Sequence, residues 1–214
     1  MINIKKFTFN EFQENTYVLF DDAKECVIVD AGCNSVEEEK KLINFLNDKK
    51  LKPVKLINTH GHVDHIMGIK FLIEKYNIPY YLHKNDVFLI NEAQDHAVIF
   101  GFHIEKPPLP DKYITDNNIV NFGNSKLKVI HTPGHSPGGV CFYAENEKIL
   151  FAGDTLFFTS IGRTDLPGGN HNTLLNSIKN KIFTLPDNVK VYSGHGNETS
   201  VGYEKNYNPF INGL

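Results

Sequence analysis

The sequence predicts an α/β fold: two mixed β-sheets packed face to face with helices on both outer sides, an αββα sandwich. Three observations predict it. Apolar runs rich in β-branched and aromatic residues recur in both halves of the 214-residue chain. Segments of helical periodicity occur in each half. No linker, repeat or low-complexity tract divides the sequence, so a single domain over residues 1–214 is expected.

"INIKKFTF", "NTYVLF" and "ECVIVD" read as three opening strands. "NSVEEEKKLINFLNDKK" reads as a helix: Asn34 or Ser35 can cap it, acids fill its first turn and lysines its last, and Leu42, Ile43, Phe45 and Leu46 share a side. "PVKLIN" is a short strand of the buried type. Ile66, Ile69, Leu72, Ile73 and Tyr76 recur at helical spacing and predict a helix over residues 64–76. "PYYLHK" is a further strand, and residues 92–118, with "KPPLPDKY", read as an irregular loop or cap. "NSKLKVIHT", "GGVCFYA" and "KILFAGD" return to strand. "NTLLNSIKNKIFTL" is a helix with Leu174, Leu175, Ile178, Ile182 and Phe183 inward, and "NVKVYSGHG" is a last strand.

Composition narrows the function classes. A net charge of −3 with scattered lysines leaves no electrostatic footprint for nucleic acid. The first ten residues alternate instead of forming an apolar signal segment, and no window approaches the ~18 apolar residues of a membrane span. Cys26, Cys33 and Cys141 are odd in number and lack ligand or disulfide spacing, so they read as reduced, buried thiols. A cytoplasmic protein with no membrane partner, monomeric or homodimeric, is the expectation.

"NTHGHVDH" then stands out. With 10 His and 12 Asp in the chain, H-x-H-x-D-H arises by chance on the order of once per thousand such sequences. His60 and His62 lie two apart beyond a strand, where alternate residues point the same way; Asp64 and His65 follow as the chain turns. Imidazole and carboxylate suit zinc, iron and manganese. Three other strand ends have the same character. "HTPGHSPGG" puts His135 after a Pro-Gly turn, and "LFAGDTLF" leaves Asp154 where a buried carboxylate is expensive without a cation. "YSGHGN" sets His195 between glycines.

Thr59–His65, Thr132-Pro133-Gly134-His135, Gly153-Asp154-Thr155 and Gly194-His195 resemble the ordered motifs of the metallo-β-lactamase superfamily, and the glyoxalase II-like hydrolase branch best. The resemblance implies a two-metal site between the sheets' edges. His60, His62 and His135 would hold one ion, Asp64, His65 and His195 the other, and Asp154 both. It implies two divalent ions, zinc first with iron or manganese as alternatives, and a bridging hydroxide that Asp64 orients for attack on a small-molecule thioester such as a hydroxyacyl-glutathione. The sequence has no G-x-S-x-G nucleophile elbow; with His65 directly after Asp64 the motif resembles the thioesterase-like and oxygenase-like branches, which implies that β-lactam hydrolysis is not the activity.

"SIGRTDLPGGN" resembles the G-R-T-D loop of short glyoxalase II-like proteins and of persulfide dioxygenases; Arg163 either pairs with Asp165 or binds a substrate carboxylate. Full-length glyoxalase II enzymes carry a C-terminal glutathione-binding helical domain, which is not expected in the 19 residues after His195; Lys205, Tyr207 and Asn208 are candidates to replace part of it. A mononuclear iron persulfide dioxygenase is the alternative function, and a non-catalytic metal-binding relative a third. Of the other histidines, His83 and His131 end strands and read as structural or as support for the ligands, His96 and His103 as exposed, and His171 as a helix cap or a pocket-entrance residue.

Overall fold

Alternation along the third strand assigns the layers of the molecule. In the computed structural model, which describes residues 1–212, Val27 and Val29 face one apolar cluster while Cys26 and Ile28 face another. Successive side chains of a strand point to opposite faces, so an all-apolar strand must be covered twice.

The first sheet contains β1 (Asn3–Phe9), β2 (Glu14–Phe20), β3 (Glu25–Val29), β4 (Lys52–Ile57), β5 (Tyr80–His83) and β6 (Lys112–Ile114), in that spatial order. The β1–β2 and β2–β3 pairs are antiparallel, and from β3 to β6 every pair is parallel. The second sheet uses β7 (Ile119–Phe122), β8 (Ser125–His131), β9 (Val140–Ala144), β10 (Ile149–Gly153), β13 (Lys190–Ser193) and β14 (Thr199–Ser200), ordered β14-β13-β10-β9-β8-β7. A small hairpin, β11 (Leu156–Phe157) with β12 (Ser160–Ile161), stands apart.

Between the sheets, Tyr17, Leu19, Val27 and Ile57 meet Leu127, Val129, Phe142 and Phe151. Outside the first sheet lie α1 (Val36–Asp48) and α2 (Ile69–Tyr76), which bring Leu42, Leu46, Ile69 and Leu72 onto Val18, Ile28 and Leu56. Each such fully buried leucine or isoleucine contributes roughly 1.5–3 kcal/mol. Ser35 caps α1 by accepting from the Glu38 amide, three acids follow in the first turn, and its last turn holds no basic residue. Outside the second sheet, α5 (His171–Ser177) runs into a π-helical turn (Ile178–Ile182) and packs Leu174, Ile178 and Ile182 on Ile130, Leu150 and Val191. The four layers are those of the predicted sandwich.

Besides the last turn of α1, the structure differs from the sequence reading in its connections and in the tail. The helix expected from residue 64 starts at Ile69, because Val63–His65 forms a 3₁₀ turn and the Gly68 amide bonds to Ala31 O at 2.7 Å. Residues 92–118 are not all irregular: α3 (Val87–Asn91) leads into α4 (Ala93–Ile99), and β6 closes the sheet. The tail forms α6 (Val201–Tyr207) and α7 (Pro209–Asn212), with Val201 and Ile211 buried in the outer cluster. Cys26, Cys33 and Cys141 are free and buried, and burial pushes the Cys26 and Cys141 thiols up to about 12 and about 11. Among the described residues no helix is long and apolar enough to cross a membrane.

Candidate metal centre

Five strands end at one edge of the sandwich, and each is followed within a few residues by a polar group: Asp30 after β3, His60 after β4, His135 after β8, Asp154 after β10 and His195 after β13. Loops on a rigid sheet edge are held to the precision that converging side chains need. The two edges are stitched together. Val140 N donates to Thr59 O at 2.8 Å, Tyr17 Oη to Ser193 O at 2.6 Å, and Asn15 N to Gly194 O at 2.7 Å. Gly194 permits a close approach: a Cβ there would lie 2.2 Å from Asp154 Oδ1.

Seven of the side chains singled out in the sequence come together in two groups. His60 Nε2 lies 3.2 Å, and His62 Nδ1 2.8 Å, from His135 Nε2. In the second group His195 Nε2 lies 3.1 Å from Asp64 Oδ2 and 3.3 Å from His65 Nε2. Asp154 sits between them, with Oδ2 3.5 Å from His135 Nε2 and 3.6 Å from His195 Nε2, and Oδ1 3.4 Å from His65 Nε2. His60, His62 and His135, and likewise Asp64, His65 and His195, each present one ligand atom within 4.8 Å of the others, the arrangement a metal ion requires.

The outward nitrogens decide what faces inward. His135 Nδ1 donates to Arg163 O at 2.7 Å, and His195 Nδ1 donates to Phe12 O at 3.0 Å. His65 Nδ1 donates to Asp30 Oδ2 at 3.1 Å. Thr59 Oγ1 donates to Asp30 Oδ2 at 2.7 Å, so it accepts from His60 Nδ1 at 3.1 Å. A neutral imidazole whose outer nitrogen carries the proton turns a lone pair inward. Lone pairs of His60 and His135 therefore face each other, and one proton on His62 can satisfy only one of the two contacts. His62 Nε2 and Asp154 Oδ1 remain buried without a hydrogen-bond partner. Inward lone pairs, buried carboxylates and orphaned acceptors fit divalent cations.

Electrostatics agree. Burial, reinforced by neighbouring imidazoles, holds His60 well below its usual range and His62 at about 3, so both are neutral and ready to ligate. Burial acts the same way on His65 and His195, but the carboxylates outweigh it: Asp64, Asp154 and Asp30 raise His65, and Asp64 and Asp154 raise His195. Burial favours neutral Asp64 and Asp154, yet His65 and His195 keep both ionised. The two carboxylates and the neutral His60 and His62 thus form a ligand set suited to positive charge.

Three buried carboxylates around the centre were not singled out in the sequence. Asp30 positions Thr59 and His65, accepting also from Thr59 N at 2.7 Å. Asp86 accepts from Gly61 N at 3.0 Å, Ser136 Oγ at 2.7 Å and Gly138 N at 2.5 Å, joining the two histidine loops. Glu14, fully buried, has Oε1 3.9 Å from His65 Nδ1 and is pushed well above the usual carboxyl range by burial. Asp30 was detectable, since it ends an apolar strand as Asp154 does.

A cavity of about 460 Å³ opens over the centre. Arg163 reaches its wall with the Nε–Nη2 edge of its guanidinium on Asp165, Nε to Oδ1 at 2.7 Å and Nη2 to Oδ2 at 2.6 Å. Lys205 is not among the lining residues; its ammonium lies 2.6 Å from Asp187 Oδ1. Tyr207 is exposed, and buried Asn208 bonds Ser160 O and Glu204. His96, expected to be exposed, lines the cavity 3.6 Å from Glu92; His103 is exposed. His83 and His131 stack at 4.3 Å, and exposed His171 opens α5, where Asn170 is the cap.

Comparison with known proteins agrees with this geometry. The chain is 38% identical over 212 residues to a probable metallo-hydrolase, YqgX, of Bacillus subtilis (98% of each chain), and 33% identical over 213 residues to hydroxyacylglutathione hydrolase GloC of Haemophilus influenzae (99% of each). Among solved structures it is similar to the BLEG-1 B3 metallo-beta-lactamase (TM-score 0.88, 38% identity, 99% of each chain). It is also similar to TTHA1623 in a di-iron-bound form (TM-score 0.87, 35% identity, 96% of this chain and 99% of that one). The profile of the metallo-beta-lactamase superfamily matches residues 9–195, and the chain belongs to that superfamily.

Proposed function

We propose that this chain is a binuclear metal-dependent hydrolase that cleaves thioesters. The observation that carries the reading is the pair of triads, His60–His62–His135 and Asp64–His65–His195, with Asp154 between them at the floor of an open cavity. Two divalent ions held there would supply Lewis acidity, activating water as the nucleophile and polarising the scissile carbonyl. A di-iron form of one relative supports two ions, and the GloC relative supports a thioester.

The chain's own groups favour a thioester over an amide. Asp64 stays ionised at the cavity floor, where Oδ2 can orient an attacking water and accept its proton. Apart from the groups of the two triads and Asp154, His96 and Arg163 are the ionisable residues lining the cavity among the described residues. A departing amine needs a placed general acid, whereas a thiolate, conjugate base of a thiol with a pKa near 8.5, leaves without one. This favours thioester cleavage despite the likeness to the B3 metallo-beta-lactamase.

The test is turnover by metal-loaded protein of S-lactoylglutathione and a panel of acyl thioesters, with a cephalosporin alongside. Thioester cleavage is expected. No turnover of any thioester with two metals confirmed would remove the reading, and one iron with oxygen uptake on glutathione persulfide would replace it.

A further inference from the structure

The cavity's walls differ sharply from its floor. Phe12, Val63, Ile99, Phe100, Phe157 and Leu166 line the path to the ligand cluster. Ile99 at the end of α4 is 76% exposed and the adjacent Phe100 41% exposed, although both could have been turned into a core. Phe12 meets Phe100 edge-on at 5.4 Å and Phe102 at 5.2 Å, which braces this rim. Large apolar side chains held open beside a reactive centre provide area for an apolar ligand group.

Outside the ligand cluster, the strong cation of the wall is already paired. Arg163 is the one Lys or Arg on its wall among the described residues, and Asp165, two positions along the same loop, occupies its guanidinium in bidentate fashion. His96 Nε2 lies 3.6 Å from Glu92 Oε2. A carrier thiol with two carboxylates, such as glutathione, meets on the wall a single guanidinium already neutralised by Asp165, and must share it or displace a tethered carboxylate.

Resting on the thioesterase reading, we propose that this cavity selects thioesters of medium-length aliphatic or aromatic acids, with the acyl chain against the Phe12–Ile99–Phe100 wall and a carrier recognised without its carboxylates. The reaction balances as RCO–SR′ + H₂O → RCOOH + R′SH: the C–S bond breaks, a C–O bond forms and the thiolate takes a proton.

Two measurements on metal-replete protein test this. Calorimetry would follow binding of S-ethyl to S-hexyl thioethers of N-acetylcysteamine and of glutathione, and kinetics would follow the matched acetyl to hexanoyl thioesters. Affinity and kcat/KM are expected to rise about two- to fourfold per methylene, the upper figure being full burial of a CH₂, with a negative heat-capacity change. Glutathione derivatives should do no better than N-acetylcysteamine ones. Ile99→Ser and Phe100→Ser should each flatten the gradient. A flat gradient, a tenfold advantage for the glutathione series, or wild-type gradients in both variants would overturn the proposal. Chain-length-dependent binding with no thioester turnover would refute the hydrolase reading and with it the acyl assignment. Turnover with a flat profile would refute the acyl assignment alone.

Discussion

Replacing Asp86 should loosen the metal centre without touching a ligand. Its carboxylate Oδ2 accepts from Gly61 N and Ser136 Oγ, and Oδ1 from Gly138 N, so one buried side chain bridges the His60–His62 loop of one sheet and the His135 loop of the other. Asp86→Ala leaves three buried donors unmatched, each costing roughly 1–3 kcal/mol. The sum overstates the loss, because burial raises the Asp86 pKa and its removal recovers that desolvation. A net destabilisation of about 3–4 kcal/mol follows, a large part of the 5–15 kcal/mol typical of a domain. Asp86→Asn is the sharper probe. Its oxygen can keep Gly61 and Ser136, but its amide then opposes the Gly138 N–H at 2.5 Å, for a loss of about 1–3 kcal/mol. Urea denaturation of the metal-free proteins gives the stability change, and competition with a chromophoric chelator gives metal affinity, expected to fall ~10–100-fold as for other residues that orient ligands. Asp86→Asn within 0.5 kcal/mol of wild type and with unchanged metal affinity would refute the bridging role.

Asp30→Asn removes the charge from the acceptor of Thr59 N, Thr59 Oγ1 and His65 Nδ1. Asp30 reaches His65 directly and His60 only through Thr59, so affinity for the metal held by His65 should fall by more than ~10-fold and that for the other metal less; unchanged affinity at the His65 site would reject the role. Gly194→Ala would put a Cβ 2.2 Å from Asp154 Oδ1; metal content should drop below two per chain while circular dichroism stays native, and full occupancy would contradict the close-approach argument. His83, buried and stacked on His131, is held at about 4, with burial the largest cause. The unfolded chain therefore binds its proton first, so this contribution is complete above about pH 6.5 and lost as pH falls toward 4. His83→Asn should remove about 3 kcal/mol of that acid sensitivity, read as a shallower slope of unfolding free energy against pH; an unchanged slope would reject it.

The two sheets and the ligand set were legible because their physics is local. A charged residue closing an apolar strand, as Asp154 closes β10, is costly unless something converges on it, and His60, His62, Asp64 and His65 are close enough in sequence to be read as one unit. Asp30 carries the same signature at β3, but its task appears only once His65 and Thr59 are seen to share it. Asp86 sits in "HKND", where no pattern announces a bridge between loops 25 and 50 residues away. The start of α2 was misplaced because the apolar period at Ile66 continues into a turn whose geometry is set by Asp64, His65 and the Gly68–Ala31 hydrogen bond. α4 was missed because Val98, Ile99 and Phe100 lie exposed instead of completing an inward stripe. His96 was read as exposed for the same reason, since this helix lines a cavity and not the core.

Whether the two triads cage a pair of cations is decided by an anomalous-scattering structure of the metal-replete protein. Two peaks are expected, one among His60, His62 and His135 and one among Asp64, His65 and His195, with Asp154 reaching both. A single peak at full occupancy, or metal bound away from these residues, would contradict this.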